Sequence, residues 1–95
     1  MQYLIHAYDF TDEKALERRM ATRPLHLEEA KKFKETGNYI VGGAILNDAG
    51  QMIGSMMVFE FATNDEFQQW HDHEPYIIHK VWERITVTPF KLAQF

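Results

Sequence analysis

Residues 2–8, QYLIHAY, place Tyr3, Ile5 and Ala7 on one face of an extended chain and Leu4, His6 and Tyr8 on the other. Their aromatic and β-branched content predicts a strand, and two substantially apolar faces predict one covered on both sides. Asp9 ends it. Thr11 or Asp12 then offers a cap for a short helix reaching Met20, with Ala15, Leu16 and Arg19 inward. A longer helix is expected over residues 23–36. Thr22 suits its N-cap, Pro24 its first turn, where a missing N–H costs nothing, and Gly37 its C′ stop. At about 100° per residue, Leu27, Ala30 and Phe33 share one stripe. Glu28, Lys31, Lys32 and Glu35 face away from it, whereas Arg23 and His26 fall inside it.

Asn38 turns the chain into a second strand, 39–46, interrupted by Gly42-Gly43. Glycines inside a strand indicate a bulge or the close approach of another group to the backbone. Asn47-Asp48-Ala49-Gly50 has hairpin-loop chemistry. A third strand follows over 52–61, with Met57, Phe59 and Phe61 on one face and Met56 and Val58 on the other. Thr63 followed three residues later by Glu66 is a capping box. It opens a second helix carrying Phe67, Trp70, His71 and Glu74 on one stripe. Pro75 breaks this helix or starts a new turn, and 76–80 is a short helical turn or loop. A fourth strand is expected over 82–92, with Ile85 and Val87 on one face and Trp82, Arg84, Thr86 and Thr88 on the other.

The order β-α-β-β-α-β predicts an α+β, ferredoxin-like fold with an antiparallel four-stranded sheet. Helices cover one face of such a sheet, and the other is left with large apolar side chains and nothing to cover it. A homodimer with its two sheets packed face to face is the expected remedy.

Ninety-five residues suit one domain, 1–95. Phe, Tyr, Trp and Met number eighteen, so the interior is bulky. The net charge of −4 is spread along the chain, and no basic patch interleaves with aromatics, which argues against a nucleic-acid partner. There is no cysteine, which excludes disulfide scaffolds, thiol catalysis and cysteine-based metal sites. The first ten residues lack a signal peptide's charged start and long apolar run, and no stretch approaches a membrane span in length. A soluble cytoplasmic protein is the simplest expectation.

Two polar groups pointing inward from the start of an amphipathic helix need partners or a ligand. His26 suits a general acid/base, because an imidazole's ordinary pKa lies near neutrality. The plainer alternative is a hydrogen-bonded core histidine. Arg23 can grip a carboxylate or enolate through its fork of donors, or form an ion pair with Asp9 or Glu74. Glu74, on the neighbouring helix, can meet His26 and orient its ring, or can end a helix in solvent. His71 and Glu74, three apart, would with His26 make a weak metal-ligand set, and no metal or cofactor is required by the residues. Tyr8, Tyr76 and Trp70 can line a pocket or simply pack.

Taken together, these residues resemble the YciI-like (YCII-related) family of dimeric α+β barrel proteins. The resemblance runs from Tyr3 to about Lys91. It rests on Ala7-Tyr8-Asp9, Leu16-Glu17-x-Arg19, Arg23-Pro24-x-His26-Leu27, Gly42-Gly43, Ile53-Gly54-Ser55, Trp70 with the acid-Pro75-Tyr76 segment, and Pro89-Phe90-Lys91. It implies a small-molecule pocket between helices and sheet in each subunit, with His26 and a carboxylate as the active pair. The family usually has Asp before Pro-Tyr where this chain has Glu74, and commonly a small apolar residue at His71. Members are linked to lyase-type chemistry on hydroxylated chloroaromatics, and related barrels include muconolactone isomerases and cofactor-free monooxygenases.

The expectation is therefore a small lyase or isomerase acting by proton transfer on a cyclic or enol-type substrate. His26 is the acid/base and Glu74 its orienter. Arg23 and Arg19 bind the anion, and Asp9 and Tyr76 complete the site. Two alternatives stand beside it: a non-catalytic dimer that captures a small anion, and a cofactor-free monooxygenase with an extended apolar pocket. The first two differ in one distance. Catalysis by the pair demands a His26–Glu74 contact of roughly 2.6–3.2 Å or one bridging water.

Overall fold

The computed structural model describes residues 1–95. Its elements run β1 (Gln2–Asp9), α1 (Ala15–Glu35), β2 (Tyr39–Leu46), β3 (Met52–Glu60), α2 (Asn64–His73), α3 (Pro75–Ile78) and β4 (Trp82–Phe90). The sheet order is β2-β3-β1-β4 and every neighbouring pair is antiparallel. This is the expected ferredoxin-like α+β arrangement, with β1 and β3 central and β2 and β4 at the edges. Fourth-strand pairing stops at Phe90, two residues short of the expected end.

The core forms between the helices and one face of the sheet. Ile5, Ala7, Met57, Phe59, Phe61, Trp70, Tyr76, Val81 and Trp82 are buried there together. The opposite face is bare: Tyr8, Val41 and Met56 are 37, 45 and 36 % exposed. Val58, in register between Leu4 and Val41, is buried on that side. The expectation that β1 is covered on both faces therefore fails within one chain, where His6 and Tyr8 are exposed.

Two helices were expected between β1 and β2, and the structure has one. Pro24 lies inside α1 rather than at its start, and Thr22 is a buried helical residue rather than a cap. An interior proline loses one hydrogen bond and crowds the carbonyl four residues back, at a cost of about 3 kcal/mol. The continuous stripe Ala15, Arg19, Thr22 and His26, all buried, offsets that cost. Lys14 is the N-cap, without a side-chain cap; Asp12 accepts from its backbone N–H instead. Leu16 and Leu27, both expected inward, are 37 and 45 % exposed, because the stripe runs through 19, 22 and 26 and passes them by. Gly37 terminates the helix at φ +83°, as anticipated.

Irregularities at the ends of a strand and a helix move two further residues. A bulge after Tyr8 pairs Asp9 with Trp82 and leaves Glu83 over, so Trp82 joins the inner face instead of sharing the outer one with Arg84. The second helix ends at His73, and Glu74 adopts an extended conformation rather than lying on that helix's stripe.

Candidate active site

Two buried polar clusters sit side by side between α1 and the sheet. The first is built on Arg19, which the middle of α1 points at the end of β1. Its Nη1 donates to both carboxylate oxygens of Asp9, at 2.8 and 3.0 Å, and its Nη2 donates to Ser55 Oγ at 2.8 Å. The same hydroxyl accepts from Trp82 Nε1 at 3.1 Å, so the bulge that turns Trp82 inward also supplies this bond. Burial pushes the Asp9 carboxyl above its ordinary value, while the Arg19 hydrogen bond and charge pull it back. Arg19 Nε is the one sealed side-chain polar atom without a partner.

The second cluster is built on His26, two turns further along α1. Its Nδ1 lies 2.7 Å from Glu74 Oε1, with the side chains 11 and 3 % exposed. Glu74 is held by its own local structure: it N-caps α3, accepting the Tyr76 N–H at 3.0 Å, and Pro75 occupies the first position of that helix. Oε1 therefore meets both the Tyr76 N–H and the His26 ring nitrogen. Nε2 has no protein partner. The ring stacks on Tyr76, with centroids 4.0 Å apart and planes at 8°, and meets Trp82 edge-on at 6.0 Å. The Arg19 guanidinium lies over the same Tyr76 ring at 4.8 Å, which ties the two clusters together. Burial raises the Tyr76 phenol above its ordinary value, with the charges of Arg19 and Arg23 opposing.

Both clusters open onto one cavity of about 200 Å³, lined by Arg19, Arg23, His26, Tyr39, Ser55 and Tyr76 among others. Arg23 makes neither of the ion pairs considered for it. Asp9 is taken by Arg19 and Glu74 by His26, which leaves the Arg23 guanidinium at the cavity without a protein partner. Of the sequence candidates, His26, Glu74, Arg19, Asp9 and Tyr76 thus form one connected arrangement, with Arg23 at its mouth. His71 stands apart, paired with Asp72 at 3.3 Å, and no group of three His, Asp or Glu is arranged to hold a metal.

Three neighbours were not singled out as site residues from the sequence. Ser55 carried a signal only as part of Ile53-Gly54-Ser55. Trp82 was hidden by the bulge. Tyr39 read as the start of a strand, although the Gly42-Gly43 pair that announces a close approach lies just beyond it.

The sequence profile of the YCII-related domain matches residues 1–91. The chain belongs to the YCII-related family. Protein YciI of Escherichia coli O6:H1 and Protein YciI of Shigella flexneri are each 34 % identical over 97 residues, covering 96 % of this chain and 97 % of theirs. Among solved structures, the 5-chloro-2-hydroxyhydroquinone dehydrochlorinase of Burkholderia phenoliruptrix AC1100, in complex with 2,5-dihydroxybenzoquinone, superposes with a TM-score of 0.82. It is 23 % identical, with 98 % of this chain and 96 % of that one covered. A dimeric ferredoxin-like protein of unknown function from Jannaschia sp. CCS1 follows at a TM-score of 0.60 and 11 % identity, covering 96 and 98 %. At these identities the two structures speak for the fold. The Glu74 side chain reaches His26 while capping α3.

Proposed function

We propose that the protein is a lyase or isomerase working by proton transfer on a small, oxygen-bearing ring bound as an anion. The observation that carries this reading is the His26–Glu74 contact at 2.7 Å, within the range for a catalytic pair, with the other imidazole nitrogen free at a cavity. Glu74 keeps Nδ1 protonated and stabilises the imidazolium, so Nε2 is the base. It takes the proton of a ring hydroxyl. The freed electron pair moves into the ring, and the same imidazolium protonates a ring carbon. Isomerisation ends there; in elimination that carbon carries the leaving group, which departs with its bonding electrons as a second ring hydroxyl gives its proton to Nε2. Arg23 holds the anionic substituent. No cofactor enters these steps.

The cavity is smaller than the roughly 300–1,000 Å³ of drug-sized sites and suits a single ring. That favours this reading over a monooxygenase with an extended apolar pocket. The structurally similar dehydrochlorinase, crystallised with a dihydroxybenzoquinone, is in keeping with the same ligand class. The proposal includes one domain, residence in the cytoplasm and a homodimer joined through the bare sheet face.

The test is chloride release from a chlorinated hydroxyhydroquinone. His26→Ala should lower kcat by about 10²–10⁴-fold, and Arg23→Gln should act mainly on KM. If the native protein binds a dihydroxybenzoquinone but turns over no such ring, the binding-module alternative replaces this one.

A further inference from the structure

Tyr39 begins β2, on the sheet's edge, and its ring packs edge-on against Phe59, with centroids 5.4 Å apart and planes at 88°. A phenylalanine would make that contact equally well. The hydroxyl is what phenylalanine lacks, and the fold makes no use of it: it forms no hydrogen bond within the protein. It lies instead over Gly42, in the wall of the cavity that His26 and Arg23 also line. A Cβ at Gly42 would collide with this hydroxyl, and would also stand 2.8 Å from Met57 Cγ and 2.9 Å from the Met56 carbonyl oxygen. The absent side chain is therefore what lets the phenol lie along the strand. The hydroxyl is not sealed from solvent, so water satisfies it in the free protein and a ligand that fills the cavity must take over that bond.

We propose that the Tyr39 hydroxyl donates a hydrogen bond to an oxygen substituent of the bound ring, and that Gly42 lacks a side chain so that the hydroxyl can reach it. This deepens the reading of the His26 site and rests on it. Tyr39 is then a specificity residue: it favours hydroxylated or oxo-substituted rings over rings without oxygen at that position. Burial raises the phenol's pKa, so it stays a neutral donor throughout the working range. A site built to bond a substrate oxygen discriminates more strongly than an apolar pocket does, because the wrong ring leaves the donor unpaired.

The experiment titrates the native protein and Tyr39→Phe with 2,5-dihydroxybenzoquinone, measuring affinity by calorimetry and the His26 ring resonances by NMR. The native protein should bind with shifted His26 resonances. Tyr39→Phe should keep the unliganded melting temperature, since its lost hydroxyl has no protein partner, and should bind about ten- to a hundredfold more weakly. Equal affinity of the two proteins, with His26 shifted in both, overturns the Tyr39 role and leaves the site intact. A native protein whose His26 resonances ignore the probe overturns the site reading and the Tyr39 role together.

Discussion

Removing the Asp9 side chain isolates the most tightly enclosed charge in the protein. Arg19 and Asp9 are 3 and 5 % exposed, and Arg19 Nη1 donates to both carboxylate oxygens. In Asp9→Ala the guanidinium keeps Ser55 Oγ and the face of Tyr76 but loses its counter-charge, and its Nε is already without a partner. Deleting one member of a buried ion pair costs about 3–5 kcal/mol. For a chain of this size, whose whole stability is of order 5–15 kcal/mol, that is between about a fifth and all of what holds it folded. At about 4–8 °C per kcal/mol, the melting temperature should fall by roughly 12–40 °C. The double variant Asp9→Leu with Arg19→Met should recover most of this loss. For Asp9 itself burial outweighs the attraction of its partner, so the pair fixes geometry more than it adds stability. Lys32→Ala, which breaks the exposed Lys32–Glu29 pair, is the control and should leave the urea midpoint unmoved. Urea titrations and thermal melts of the four proteins measure all of this. An Asp9→Ala loss below about 1 kcal/mol, or a double variant no better than the single, would refute the argument.

Two other outcomes follow from the same structure. Burial raises the phenol pKa of both Tyr39 and Tyr76 above 10.0, so the folded state holds these protons more tightly than the unfolded one; their contribution is complete below the ordinary value and lost as pH rises through the native one. Phenolate absorbance should show two late-titrating tyrosines that ionise together with alkaline unfolding, and Tyr76→Phe should remove one of them. Met56→Glu, on the bare sheet face beside Val41, should convert the proposed dimer to monomers in analytical ultracentrifugation, whereas Glu28→Lys on the outer side of α1 should not. Monomeric native protein at all concentrations would sink the face-to-face arrangement.

The strand order was legible because aromatic and β-branched runs are bounded by turn residues, and because Thr63 and Glu66 mark a helix start without ambiguity: Thr63 Oγ1 accepts the Glu66 N–H, and Glu66 reaches back to the Ala62 N–H. The inward pair Arg23 and His26 was legible from helical periodicity. Pro24 misleads because a proline's local preference for a first turn carries no trace of the buried stripe on either side of it, which only tertiary packing reveals. From the sequence Glu74 suits a helix end in solvent slightly better than a partner for His26, because that ring comes from a helix whose docking the sequence does not state. Trp82 lies on the face opposite to that expected for a simpler reason: a strand's period of two holds only until a bulge, and nothing in Val81-Trp82-Glu83-Arg84 announces the one at Glu83.

The unbroken course of α1 also bears on how the cavity is entered. Arg19 and His26 are carried on the same rigid rod, about 10 Å apart along its axis, with Arg23 between them. A hinge between two separate helices would have allowed the Arg19–Asp9 cluster and the base to part company; a single one makes them a fixed ruler against which a ring is measured. Whatever breathing admits a ligand therefore falls to the facing wall, the edge strand with its paired glycines, so exchange in and out should be tuned by changes to β2 and barely by changes to the helix that bears the reacting groups.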